Sequence, residues 1–64
     1  MDEHSIQIQA TLTAAEALAI AQFMKRATFD DYLRRAVDSD EAYTMIAAAS
    51  KIREALAVQD IDPR

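Results

Sequence analysis

Ile6, Ile8, Ala10 and Leu12 alternate with Gln7, Gln9 and Thr11, and this two-residue period predicts a half-buried β-strand over about residues 5–11. The rest of the 64-residue chain follows a helical period instead. Thr13 followed by Glu16 has the spacing of a capping box, in which each side chain satisfies a backbone donor of the other residue, so a first helix is expected over about residues 14–27. Its apolar stripe is Ala17, Ile20, Ala21, Met24 and Ala27, with Phe23 on the flank and Gln22 and Arg26 facing away.

Thr28 and Asp31 repeat the capping spacing, and Phe29, Tyr32, Leu33 and Ala36 give a short second helix over about residues 29–37. Asp30 with Arg34, and Asp31 with Arg35, stand four apart with the acid first, an arrangement that supports an exposed helical face. Asp38, Ser39, Asp40 and Glu41 then supply cap oxygens and first-turn acid for a third helix over about residues 40–58. The main seam of that helix is Ala42, Met45, Ala49, Ile52 and Leu56, widened by Tyr43, Ile46 and Ala57. Without glycine, the turns are expected to form without a glycine αL cap.

The expected fold is therefore mainly α, an N-terminal β-strand followed by three α-helices in a single small domain spanning residues 1–64. A lone strand leaves its backbone groups unpaired, and no other segment of the chain alternates in the same way. The expectation that follows is strand pairing across a homodimer through Ile6, Ile8 and Ala10. Core size points the same way: the apolar fraction is 52%, but 14 of those residues are alanine, which leaves few large side chains to fill a core.

Chemistry is sparse. There is no cysteine, and His4 is the one histidine, so neither a disulfide nor a Cys/His zinc site can be built within the chain. Asp38, Ser39 and Asp40 open like a calcium loop, but the sixth position lacks glycine and the twelfth is Ala49 where a bidentate glutamate belongs. No nucleophile, base and orienting group can be assembled, so neither enzyme activity nor a cofactor is expected. The net charge of −4 disfavours nonspecific contact with nucleic acid or an anionic membrane. An acidic start and the lack of a long apolar run lead to the expectation of a cytoplasmic protein with no membrane contact. What remains is a noncatalytic interaction module for an unknown protein partner. Its acidic and aromatic candidates are Asp30, Asp31, Asp38, Asp40, Glu41 and Tyr43.

Two resemblances can be stated on these residues. The segment from Ile6 to Val37, ending in Thr28-Phe29-Asp30-Asp31-Tyr32-Leu33-Arg34-Arg35-Ala36-Val37, resembles ribbon-helix-helix DNA-binding proteins. That resemblance implies a transcriptional regulator whose paired strands enter the major groove, with Gln7, Gln9 and Thr11 reading bases. The strand carries no lysine or arginine to meet phosphate, a departure from that pattern. From Leu12 to Leu56, residues including Leu12-Thr13, Glu16-Ala17, Ala21-Gln22-Phe23, Ala36-Val37-Asp38, Glu41-Ala42-Tyr43 and Ile52-Arg53 resemble short uncharacterised helical proteins of proteobacteria and their phages. This second resemblance implies a small regulator or inhibitor from a phage or mobile element and brings no site residue with it.

Overall fold

The computed structural model describes residues 4–63, and in them the chain forms three helices: α1 (Ala14–Arg26), α2 (Phe29–Arg35) and α3 (Ser39–Val58). Each helix starts on a side-chain oxygen. Thr13 accepts from the Glu16 N–H at 3.1 Å while Glu16 accepts from the Thr13 N–H at 2.9 Å, closing the expected box at α1. At α2 the Asp31 carboxylate accepts from the Thr28 N–H at 2.8 Å and from the Thr28 hydroxyl at 3.1 Å. At α3, Asp38 accepts from the Glu41 N–H at 2.9 Å. Glu41 in turn accepts from Val37, one residue upstream of the cap, at 2.7 Å. Seven residues are too few for α2 to stand as an isolated helix, so its caps and its packing on α3 hold it.

The ends of the helices differ from one another. At Ala27 and Ala36 the backbone turns extended, which stops α1 and α2 without any left-handed residue, and α2 ends at Arg35. At α3 an αL cap does form. Asp60 takes φ 67°, its N–H donates to Ala57 O at 2.9 Å, and the Ile61 N–H donates to Leu56 O at 2.9 Å. These two bonds define a Schellman motif, with aspartate in the place usually held by glycine. Ile61 and Leu56 are both half-buried, as the apolar contact of that motif requires.

The helices form a thin slab. Both α1 and α2 pack on α3 but not on each other, and the molecule measures 33 × 29 × 15 Å. With α1 and α2 each meeting only α3, every helix is covered on just part of its surface. Among the described residues, those buried are Ala17, Ala21 and Met24 of α1 and Ala42 of α3, small or flexible side chains that let the backbones approach. Met45, Ile46, Ala49 and Leu56 are half-buried around them. Ile20 and Ile52, both expected in apolar seams, remain 41% and 47% exposed, because this packing covers only part of each helix.

The N-terminal strand is not formed. Residues 4–13 have no secondary structure and are exposed throughout, and no β-strand occurs among the described residues. Ile6 and Ile8 are 84% and 80% exposed, so the inward side of the expected strand, Ile6, Ile8 and Ala10, lies against nothing. The reason is physical: a two-residue period orders side chains on two sides of a backbone but supplies no ladder, and exposed amides are satisfied by water. Strand pairing across a homodimer is therefore corrected to an unpaired N-terminal segment on a mainly α fold. The same correction removes the frame on which Gln7, Gln9 and Thr11 would read DNA, since base readout needs their spacing fixed by a paired ribbon.

Candidate interaction surface

The six acidic and aromatic candidates divide according to what their side chains already hold. Asp31, Asp38 and Glu41 are occupied by the helix starts, each accepting a backbone N–H. The two hydrogen bonds from Thr28, first its N–H and then its hydroxyl, hold the Asp31 carboxyl below the ordinary aspartate value, and the positive charges of Arg34 and Arg35 add to the effect. Arg35 donates to the backbone carbonyl of Asp31 at 3.0 Å, and the Asp31 carboxylate turns to the cap. The expected Asp31–Arg35 relationship is thus built on the main chain.

Asp30, Asp40 and Tyr43 are exposed. Tyr43 stacks at a tilt on Phe29, with ring centroids 5.1 Å apart and planes at 38°, and this pair joins α2 to α3. Even so, Tyr43 keeps 63% of its surface open. Asp40 precedes it by three residues and so neighbours it on the same side of α3, while Thr44 fixes that turn by donating to the Asp40 carbonyl at 3.0 Å. Val37, in the link between α2 and α3, is 86% exposed. The chain thus presents an apolar and aromatic surface with an acid beside it.

Two open grooves lie along the helices. The larger, about 420 Å³, is lined by Phe23, Ala27, Tyr32 and Met45 with Arg26, Arg35 and Asp31. Sequence reasoning placed Phe23 on a helix flank and missed the groove; the available signal was an aromatic residue outside the main stripe of a helix with so many alanines. The second groove runs along Met24, Phe29, Tyr32 and Ile46 and includes Arg53. Met45 and Tyr43 are two positions apart on α3, about 200° around the helix, so the larger groove and the Phe29–Tyr43 pair face opposite sides of the slab.

No group of three or more His, Asp or Glu side chains able to hold a metal occurs among the described residues. Among those residues, no helix is long and apolar enough to cross a membrane. No curated protein and no solved structure matches the chain. The match over residues 1–64 is to a family of unknown function, DUF7706, and the chain belongs to that family.

Proposed function

We propose that this chain is a noncatalytic interaction module that acts as a homodimer and captures a basic protein partner on the Tyr43 side of α3. The observation that carries this reading is Tyr43 itself, a large aromatic stacked on Phe29 and still 63% exposed, with Asp40 one turn away. Aromatic side chains with a polar tip supply contact area at interfaces with little loss of side-chain freedom. An adjacent carboxylate selects for lysine or arginine on the partner. Asp30 extends the acidic character along α2, whereas Asp31, Asp38 and Glu41 serve the partner only indirectly, by fixing the helix starts. A regulatory or inhibitory role in a phage or mobile element is part of the same proposal and rests on the resemblance in sequence.

The test is capture from the native host by tagged wild type and by the variants Asp40→Lys and Tyr43→Ala, followed by mass spectrometry. A basic protein retained by the wild type and lost by both variants is the expected result. Identical capture by all three proteins would refute this surface. Asp40→Lys places a positive charge in the first turn of α3 and Tyr43→Ala removes the stack that joins α2 to α3, so capture is compared at a temperature where circular dichroism shows each variant folded.

A further inference from the structure

We propose that a second copy of this chain covers the side of α1 and α3 that carries Ile20, Phe23, Met45 and Ile52. This proposal rests on the homodimer reading above and adds which face is shared.

The first argument is area. A folded monomer of 7.1 kDa exposes about 4,100 Å² by the scaling of surface with mass, whereas this chain exposes 5677 Å². Residues 4–13 account for part of the excess of roughly 1,600 Å². A stable interface takes about 800 Å² from each partner, and the exposed side chains of Ile20, Phe23 and Ile52 offer apolar surface toward it. Core size agrees: among the described residues four side chains are buried, three of them alanine, a marginal core for a domain of this length. A second copy is the one partner present whenever the chain is made, and at equal amount.

The second argument is pattern. Met45, Ala48, Ile52 and Ala55 recur at a 3-4-3 spacing and form an uncharged stripe along α3 that starts at the half-buried Met45, one turn from the buried Ala42, and runs out to the exposed Ala48, Ile52 and Ala55. Alanine at alternate positions of the stripe lets another helix approach closely. Phe23 lines a groove with Met45 and is 61% exposed, and Ile20 lies one turn before it on α1. The stripe therefore continues across α1.

Symmetry decides between the two sides of the slab. A face that packs on itself about a two-fold axis is isologous and closes at two copies. Docking the acidic Tyr43 side onto the arginine-flanked groove would instead join opposite faces head to tail, a contact that propagates into open chains. Self-packing of the Met45–Ile52 stripe closes the assembly and leaves Tyr43 and Asp40 outward.

Light scattering across the micromolar range should give twice the chain mass for the wild type and for Tyr43→Glu, and the single chain mass for Ile52→Glu. Because Ile52→Glu could unfold the chain, a second variant keeps the face testable: Ala48→Cys introduces the sole cysteine, and a short bismaleimide should convert most of it to covalent dimer. Tyr43→Cys, on the opposite side, should remain uncrosslinked. A wild type at single mass throughout would overturn both this proposal and the homodimer reading. A wild-type dimer in which Ile52→Glu stays dimeric and Ala48→Cys fails to cross-link would overturn the face alone. Growth beyond two copies with concentration would overturn closure about a two-fold axis.

Discussion

Asp60 holds the αL position of the cap that ends α3, at φ 67°, and replacing it is expected to stabilise the protein. An L-residue in this conformation costs roughly 1–2 kcal/mol, somewhat less for aspartate, and glycine removes that cost. The carboxylate also stands at the negative end of a 20-residue helix with no basic residue in its last turn, an unfavourable placement worth about 0.3–1 kcal/mol. Against these gains, glycine adds about 0.4–1 kcal/mol of unfolded-chain entropy. The balance for Asp60→Gly is a gain of about 0.5–1 kcal/mol, or roughly 4–7 °C in midpoint at the unfolding entropy of a chain this size. Asp60→Asn recovers only the electrostatic part, about 0.3–1 kcal/mol. Asp60→Val forces a β-branched residue into αL and should lower the midpoint instead. Thermal unfolding followed by circular dichroism, at one fixed protein concentration, orders the four proteins. A midpoint for Asp60→Gly below that of the wild type would refute the cap, because only a residue at negative φ loses stability to glycine without compensation.

Three further outcomes follow from the same structure. Asp31 has its carboxyl held below the ordinary value of 3.8, so the stability it contributes is present above 3.8 and is lost as pH falls below it; acid titration of Asp31→Asn should show a shallower loss over that window than the wild type. Leu56→Ala removes a half-buried side chain, so urea unfolding should show a cost of about 1–2 kcal/mol, below the 2–5 kcal/mol of a fully enclosed leucine. Ile8→Pro falls in the unpaired N-terminal segment, and since no ladder donor is lost there, light scattering and thermal unfolding should both match the wild type.

Features legible in the sequence were those whose causes lie within a few residues of each other. The pairs Thr13 with Glu16 and Thr28 with Asp31 fix helix starts by contacts three positions apart, and both boxes form with the expected partners. Residues 5–11 fail for the opposite reason, because alternation is local while a β-ladder needs a remote segment, and none of the described residues supplies it. The αL cap at Asp60 was hidden by treating glycine as its requirement, although aspartate is among the residues that visit this region. On α3 the heptad spacing correctly drew Met45, Ala49 and Leu56 toward the core, but the exposure of Ile52 depends on how far α1 and α2 reach along a helix of 20 residues, which spacing does not encode. For the interaction surface, residue type marked Tyr43 and Asp40. Only the hydrogen bonds separate them from Asp31, Asp38 and Glu41, whose carboxylates are spent on caps.

The central claim is that the slab is half of a core and that a second copy completes it, and the dependence of thermal stability on protein concentration tests it most directly. For unfolding coupled to dissociation of two chains, a tenfold rise in concentration adds about 1.4 kcal/mol per dimer, which at the unfolding entropy of two chains of this length raises the midpoint by roughly 5 °C. Calorimetry from low micromolar to near-millimolar protein should therefore show the midpoint climbing by about that amount per decade, with one cooperative transition. A midpoint that stays constant across the whole range, in a protein that unfolds reversibly, would contradict the claim.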